Sequence, residues 1–389
     1  MAQSAVQCSP SPVPPMMPTI SISDAIGRRA GLSSALLGAL CIVAELCFLL
    51  PDLLVTRDAL PFYKAHIALC RGILQASIFA TFALGALGAV CARTSRYGLT
   101  GLGFGIVAML MGGAQAEAIH AGGMRSWAAG LDYFVLELLV LGLVFIPAEA
   151  LFRLRRQKVL RQGWQTDLKH FFVSHAGVQL LSFAALLPAQ MLFSWAVQLD
   201  FQKAIAAQPL WLQFVEMIAV VDLATYWIHR AFHQIPWLWR FHAIHHSSQQ
   251  MDWLAGSRIH PVDAILTRAV AFIPVFVLGF APAALYAYLV FVSFHAVFIH
   301  ANLRWRFPGL RWAISTPQYH HWHHASDAEG IDKNFAQFLP VWDLLFGTVH
   351  LPHGWPKHYG VEHFQPPETY LGQLVYPLRS PGGMHSPLS

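Results

Sequence analysis

Charge is what this chain has least of. Only 12% of its 389 residues are Asp, Glu, Lys or Arg, against about 25% in soluble domains. With 56% hydrophobic residues, several membrane spans explain the composition better than one large soluble core. Cysteine is also scarce. Cys8, Cys41, Cys47, Cys70 and Cys91 all precede residue 92 and form no CxxC pair. That argues against a disulfide framework or a thiolate metal site. The net charge is +5, but no basic stripe lies outside the flanks of the apolar segments. Nucleic acid is therefore not an expected partner, and the positive charge reads as membrane orientation. No HExxH motif supplies the water-activating carboxylate of a zinc hydrolase.

Apolar segments recur at roughly 32–54, 65–91, 98–120, 131–152, 171–199, 209–228 and 262–300. Most are long enough to cross about 30 Å of hydrocarbon as helices. The last is broken near Gly279-Phe280-Ala281-Pro282 and reads as a helical hairpin. Residues 1–30 are expected to be a disordered tail, without the pattern of a signal peptide. Residues 31–160 are expected to form a four-helix transmembrane region, 161–375 a catalytic domain and 376–389 a C-terminal tail. The run Gly101-Leu-Gly-Phe-Gly105 reads as close helix packing, not as a phosphate loop. Arg28 and Arg29, Arg93 and Arg96, and the stretch from Arg153 to Arg161 fall on alternate loops. Those loops are expected on the cytoplasmic side. Continuing the count puts residues 229–261 and 301–389 on that side too.

Histidine is the excess. The chain holds 21, and twelve fall between His229 and His324. His229 and His233 are four apart and share a helix face. His242, His245 and His246 follow with spacings of three and four, and His320, His323 and His324 repeat that spacing. His260 precedes the hairpin, and His295 and His300 lie at its far end. One zinc takes three or four protein ligands, so these clusters suffice for two metals. Imidazole suits iron, zinc and copper. Two irons can bind and cleave O2 and so supply an oxidant for an unactivated C–H bond. Neutral imidazoles cancel no metal charge, so hydroxide, oxide or carboxylate is needed nearby. Asp222, two helical turns before His229, is a candidate to orient a ligand.

The order His229-Arg-Ala-Phe-His233, His242-Ala-Ile-His245-His246 and His320-His321-Trp-His323-His324 resembles the fatty acid hydroxylase/sterol desaturase superfamily. So do Ser257-Arg-Ile-His260-Pro, Phe298-Ile-His300-Ala-Asn302, Asp332-Lys-Asn334 and Trp342-Asp343-Leu-Leu-Phe-Gly347-Thr. The resemblance spans roughly 170–375. It implies metal-ligand roles for His229, His233, His242, His245, His246, His320, His323 and His324, and further ligands at His260 and His300. His321 stands at a variable position of the third box and is expected to stay off the metal, and His295 is expected to bond a neighbouring helix. The resemblance also implies two iron ions, O2 as co-substrate and an external electron donor.

The expectation is an all-α, polytopic transmembrane helical bundle under a cytoplasmic histidine-rich helical cap. Its function would be O2-dependent hydroxylation or desaturation of a lipid in the membrane, served by a redox partner. Within that class, the alternative to a sterol is an acyl or alkyl chain of a polar lipid. Outside it stands a metal-binding membrane transporter or sensor, for which ligands would be expected inside the spans.

Overall fold

The computed structural model describes residues 22–55, 60–91, 96–117, 131–176, 187–361 and 366–378. Among the described residues, six helical stretches are long and apolar enough to cross a membrane: Ser23–Leu49, Ile67–Cys91, Arg96–Gln115, Leu210–Gln234, Pro261–Leu278 and Pro282–His300. Among the described residues there is no strand, only two isolated bridges, Arg153 with Leu303 and Ala325 with Tyr359. The chain divides into two compact units, one formed mainly by residues up to 121 and one by residues from 122 onward.

In the first unit, α1 (Ile22–Leu49), α2 (Ile67–Cys91) and α3 (Arg96–Leu110) pack on one another. The helix α1 begins inside the segment expected to be a tail. Asp24 in its first turn suits the positive end of a helix, and Ala30 is already buried. Residues 1–21, the rest of that expected tail, lie outside the described residues, as does 379–389 of the expected C-terminal tail. Lipid gives helices no hydrophobic reason to associate, so small residues that admit close backbone approach are needed. A methyl group on Gly101 would stand 2.0 Å from the Ser34 hydroxyl, and one on Gly88 would stand 2.7 Å from the Gly31 Cα. Gly105 faces Phe82, whereas Gly103 faces open space. The glycine run is thus a packing surface on the side of Gly101 and Gly105. Ser34 donates to the Thr81 carbonyl at 2.6 Å and adds a polar tie between α1 and α2.

The second unit contains α4 (Leu131–Phe152), α5 (Trp164–Ala176), α6 (Leu210–Gln234), α7 (Pro236–His246), α8 (Pro261–Leu278), α9 (Pro282–His300) and α10 (Pro317–His323). The helix α4 was expected to join the N-terminal bundle, but its Leu141 and Phe145 pack with Trp253, Leu254, Val297 and Leu303 of this unit. The expected span at 171–199 includes residues 177–186, which lie outside the described residues. A second core joins Met217 and Val221 of α6 to Ala284 and Tyr288 of α9 and to Phe338.

Proline sets the breaks. Pro236, Pro261, Pro282 and Pro317 each open a helix, where the missing N–H would be unbonded anyway and φ is already helical. Gly279 closes α8 at φ 70° and makes the hairpin turn expected there. The C-terminal ends of α6 and α9 and the N-terminal end of α8 consequently meet, and α7 and α10 lie against them.

Gly101→Leu should lower the thermal midpoint of the detergent-solubilised protein by several degrees, since overpacking costs about 1–3 kcal/mol. Gly103→Leu, facing open space, should leave the midpoint unchanged or raise it.

Candidate metal centre

Nine of the ten histidines expected as ligands come together, in two groups. His229, His233, His242, His246 and His323 form one, and His245, His300, His320 and His324 the other. Within a group, the ligand atoms lie within 4.8 Å of one another. All nine rings are buried except the half-buried His229.

Helical periodicity sorts them. On α7, His242 and His246 are four apart and turn to the five-histidine group, while His245 turns to the other. On α10 and its C-cap, His320 and His324 join the four-histidine group, while His323 joins the first. Each HxxHH box therefore serves both groups with opposite allotment. His229 and His233 on α6 complete the first group, and His300 at the end of α9 completes the second. The groups touch where His246 stacks on His324 with centroids 4.3 Å apart.

The outer nitrogen of most rings is anchored. Nδ1 of His229 donates to the Phe335 carbonyl (2.7 Å), of His323 to the Lys333 carbonyl (2.9 Å), of His245 to the Arg258 carbonyl (3.2 Å) and of His300 to the Ala296 carbonyl (2.6 Å). Nδ1 of His242 meets the Asp263 carboxylate at 2.7 Å and Nδ1 of His233 meets Asp332 at 3.2 Å. Carbonyls only accept, so those Nδ1 atoms carry the proton and Nε2 is left as a bare lone pair.

The Nε2 atoms of neighbouring rings face one another. The Nε2 atoms of His229 and His242 are 3.0 Å apart, His300 and His320 2.9 Å, His320 and His324 3.1 Å, and His300 and His324 3.2 Å. Two ligands at right angles on one ion, each bonded at about 2.1 Å, also sit about 3 Å apart. Nε2 of His233, His246 and His323 is buried with no hydrogen-bond partner. A buried polar atom left unbonded is costly, and a cation accepting the lone pairs removes that cost. Burial, reinforced by the neighbouring imidazoles, holds His245, His246, His320, His323 and His324 well below the usual histidine pKa, so they are neutral at physiological pH. Unprotonated nitrogen is the form a metal requires. The donor set therefore fits two metal ions.

His260 is a correction. It lies outside both groups, and both its nitrogens are occupied. Nδ1 accepts from the Val262 N–H and caps α8, and Nε2 bonds the Leu374 carbonyl at 3.1 Å. Asp222 is another. Its carboxylate accepts the backbone N–H groups of Gln337, Phe338 and Leu339 at 2.6–2.9 Å and touches no histidine. It acts on the loop beside Phe335 and so reaches His229 only through backbone. His321 and His295 stay outside the groups. His321 bonds the Tyr359 hydroxyl and the Ala301 carbonyl, and His295 bonds the Ser315 carbonyl.

Sequence reasoning missed Asp263 and Asp332 as anchors. Their signal was proximity to box motifs, Asp263 three residues after His260 and Asp332 inside the quoted Asp332-Lys-Asn334. It also missed a buried ion-pair network behind His245. Arg161 pairs with Asp167 and Asp252, and Arg258 pairs with Asp167 at 2.6 Å. Glu149 of α4 accepts the N–H groups of Trp253 and Asn302, tying α4 to the segments that follow α7 and α9.

Comparison with known proteins agrees with the resemblance carried by the boxes. Residues 214–348 match the fatty acid hydroxylase family. The chain is similar to ornithine lipid hydroxylase OlsE of Rhizobium tropici, 29% identical over 56% of this chain and 69% of that protein. It is similar to the alkylglycerol monooxygenases of Xenopus tropicalis (28% identical, 42% of this chain, 36% of that protein) and Danio rerio (31%, 39% and 33%). The match thus spans only about a third of each alkylglycerol monooxygenase. No solved structure matches.

His260→Ala should leave the metal content per chain unchanged while costing about 2–4 kcal/mol of stability, from the lost N-cap together with the unpaired Leu374 carbonyl. His246→Ala should lower the metal content. Elemental analysis alongside a thermal melt separates the two.

Proposed function

We propose, from the fatty acid hydroxylase superfamily character of the second half, that the protein is a multi-pass membrane enzyme that uses O2 at two irons to hydroxylate or desaturate a lipid. The observation that carries this reading is the convergence of nine imidazoles, eight of them buried and six with Nδ1 held so that Nε2 is free to bind, in two touching groups at the ends of apolar helices. Two bound irons would supply the O2 activation that oxidation of an alkyl C–H bond requires. The chain's own part is to hold and orient. The Nδ1 anchors fix six of the nine rings, the buried surroundings exclude water, and the apolar helices α6, α8 and α9 offer a lipid a lateral approach.

The relatives' names favour a polar lipid over a sterol. Two proteins named for an ornithine lipid and for alkylglycerols point to an acyl or alkyl chain as the part attacked. Reduction of O2 needs electrons from an external donor. The alternation of basic loops supports a cytoplasmic site, which an intracellular redox partner could reach. Metal transport is disfavoured, because the ligands gather at helix ends instead of being distributed along the spans.

The test is metal content together with lipid mass. Protein from iron-supplemented cells should carry about two irons per chain, one for each ligand group. Lipid extracts should contain a species heavier by one oxygen, or lighter by two hydrogens, that disappears in the His323→Ala, His324→Ala double mutant. One zinc per chain, or no lipid change in cells also supplied with sterols, would refute the reading.

A further inference from the structure

The two histidine groups differ in what stands behind them. In the five-histidine group, Asp263 backs His242 and Asp332 backs His233. Among the described residues, no carboxylate backs any ring of the four-histidine group. His245 and His300 lean on carbonyls, and Nδ1 of His320 and His324 is buried without a partner.

Three of the anchors of the five-histidine group come from four consecutive residues. Asp332 offers its carboxylate to His233, Lys333 its carbonyl to His323 and Phe335 its carbonyl to His229. Asp332 and Asn334 both take left-handed backbone, at φ 55° and 59°, a conformation that Asp and Asn tolerate better than other side chains. The strap is fixed from behind. The Asn334 side chain donates to the Tyr319 and His350 carbonyls and accepts from the His350 N–H. The Phe335 and Ala336 N–H groups bond the Asp343 carboxylate.

A carboxylate behind a ligating imidazole raises the basicity of the ring and offsets part of the ion's charge. The first group has two such pairs and the second has none. Resting on the two-metal reading above, we propose that the two metal sites are unequal, and that Asp332 is the positioning residue on the 332–335 strap whose charge helps make the five-histidine site the tighter one. The variant Asp332→Asn isolates that charge. Asn keeps the left-handed backbone and an acceptor oxygen toward His233, so the strap and the ring geometry are retained.

The experiment challenges the full-length protein, purified in detergent with iron bound, with increasing chelator, and reads iron per chain. The wild type should lose its two ions in two separate steps. In Asp332→Asn the tighter step should weaken by about 10- to 100-fold, while the weaker step and the thermal midpoint of the metal-free protein stay where they were. Asp332→Glu should recover part of the loss. Asp263→Asn, at the other carboxylate of the same group, should weaken the same step. Unchanged steps in Asp332→Asn, equal weakening of both steps, or an Asp263→Asn effect on the weaker step would each overturn the proposal. A wild type that never holds two ions would instead overturn the two-metal reading itself, so the two failures are distinct.

Discussion

The structure of the second unit depends on one arrangement, bare imidazole lone pairs pointed at one another inside a buried space. Burial keeps bulk water from them, and the backbone and side chains around six of the nine rings are engaged with the opposite nitrogens. Proton positions follow from this. The Phe335, Arg258 and Ala296 carbonyls that take an Nδ1–H fix the tautomers of His229, His245 and His300, whose Nε2 atoms sit 2.9–3.4 Å from those of neighbouring rings. Such a space stays formed only if the surroundings are rigid enough to resist the repulsion before a cation is present. The proline-opened helices, the strap at 332–335 and the carboxylates of Asp222 and Asp343 under it supply that rigidity. So does the network of Arg161, Asp167, Asp252 and Arg258. Buried ion pairs are weak evidence of stability. Here, the Arg258 pair sits on the residue whose carbonyl orients His245, so its use is better described as fixing a ring than as strengthening the fold.

How much of this could be read in advance depends on range. The boxes were legible because their ligands obey helical spacing, a local property that survives into the fold. The hairpin at 279–282 and the glycine packing of the first unit were legible for the same reason. His260 was misread because its neighbours in sequence resemble a ligand motif, whereas its role is decided by Leu374, 114 residues away. Asp222 was misread because a spacing of seven puts it on the same helix face as His229, and nothing local reveals the three amides at 337–339 that claim its carboxylate. Asp332 lies 99 residues from the ring it backs, and no pattern in the chain pairs them. The placement of α4 with the second unit is also a long-range fact, set by Leu141 and Phe145 against Trp253 and Val297.

The two units solve different problems with different residues. The first carries little chemistry and relies on absent side chains, the glycines of α1, α2 and α3, for close approach. The second buries an unusual load of polar groups and must provide each with a partner. Its second core, Met217 and Val221 with Ala284, Tyr288 and Phe338, joins the spanning helices to the loop that carries the strap. Lipid-facing packing and ring positioning are thereby mechanically continuous.

The opposite allotment of the two HxxHH boxes has a consequence for how such a protein can diverge. Because α7 and α10 each contribute to both groups, the separation between the groups is fixed by the pitch of two helices, not by flexible side chains. A slip of one residue in either helix would hand histidines to the wrong group and dismantle both at once. Change in the cage is therefore all-or-nothing, while the apolar flanks of α6, α8 and α9 can vary one side chain at a time. New specificity within this architecture should accordingly arise by remodelling those apolar flanks around an unchanged histidine cage.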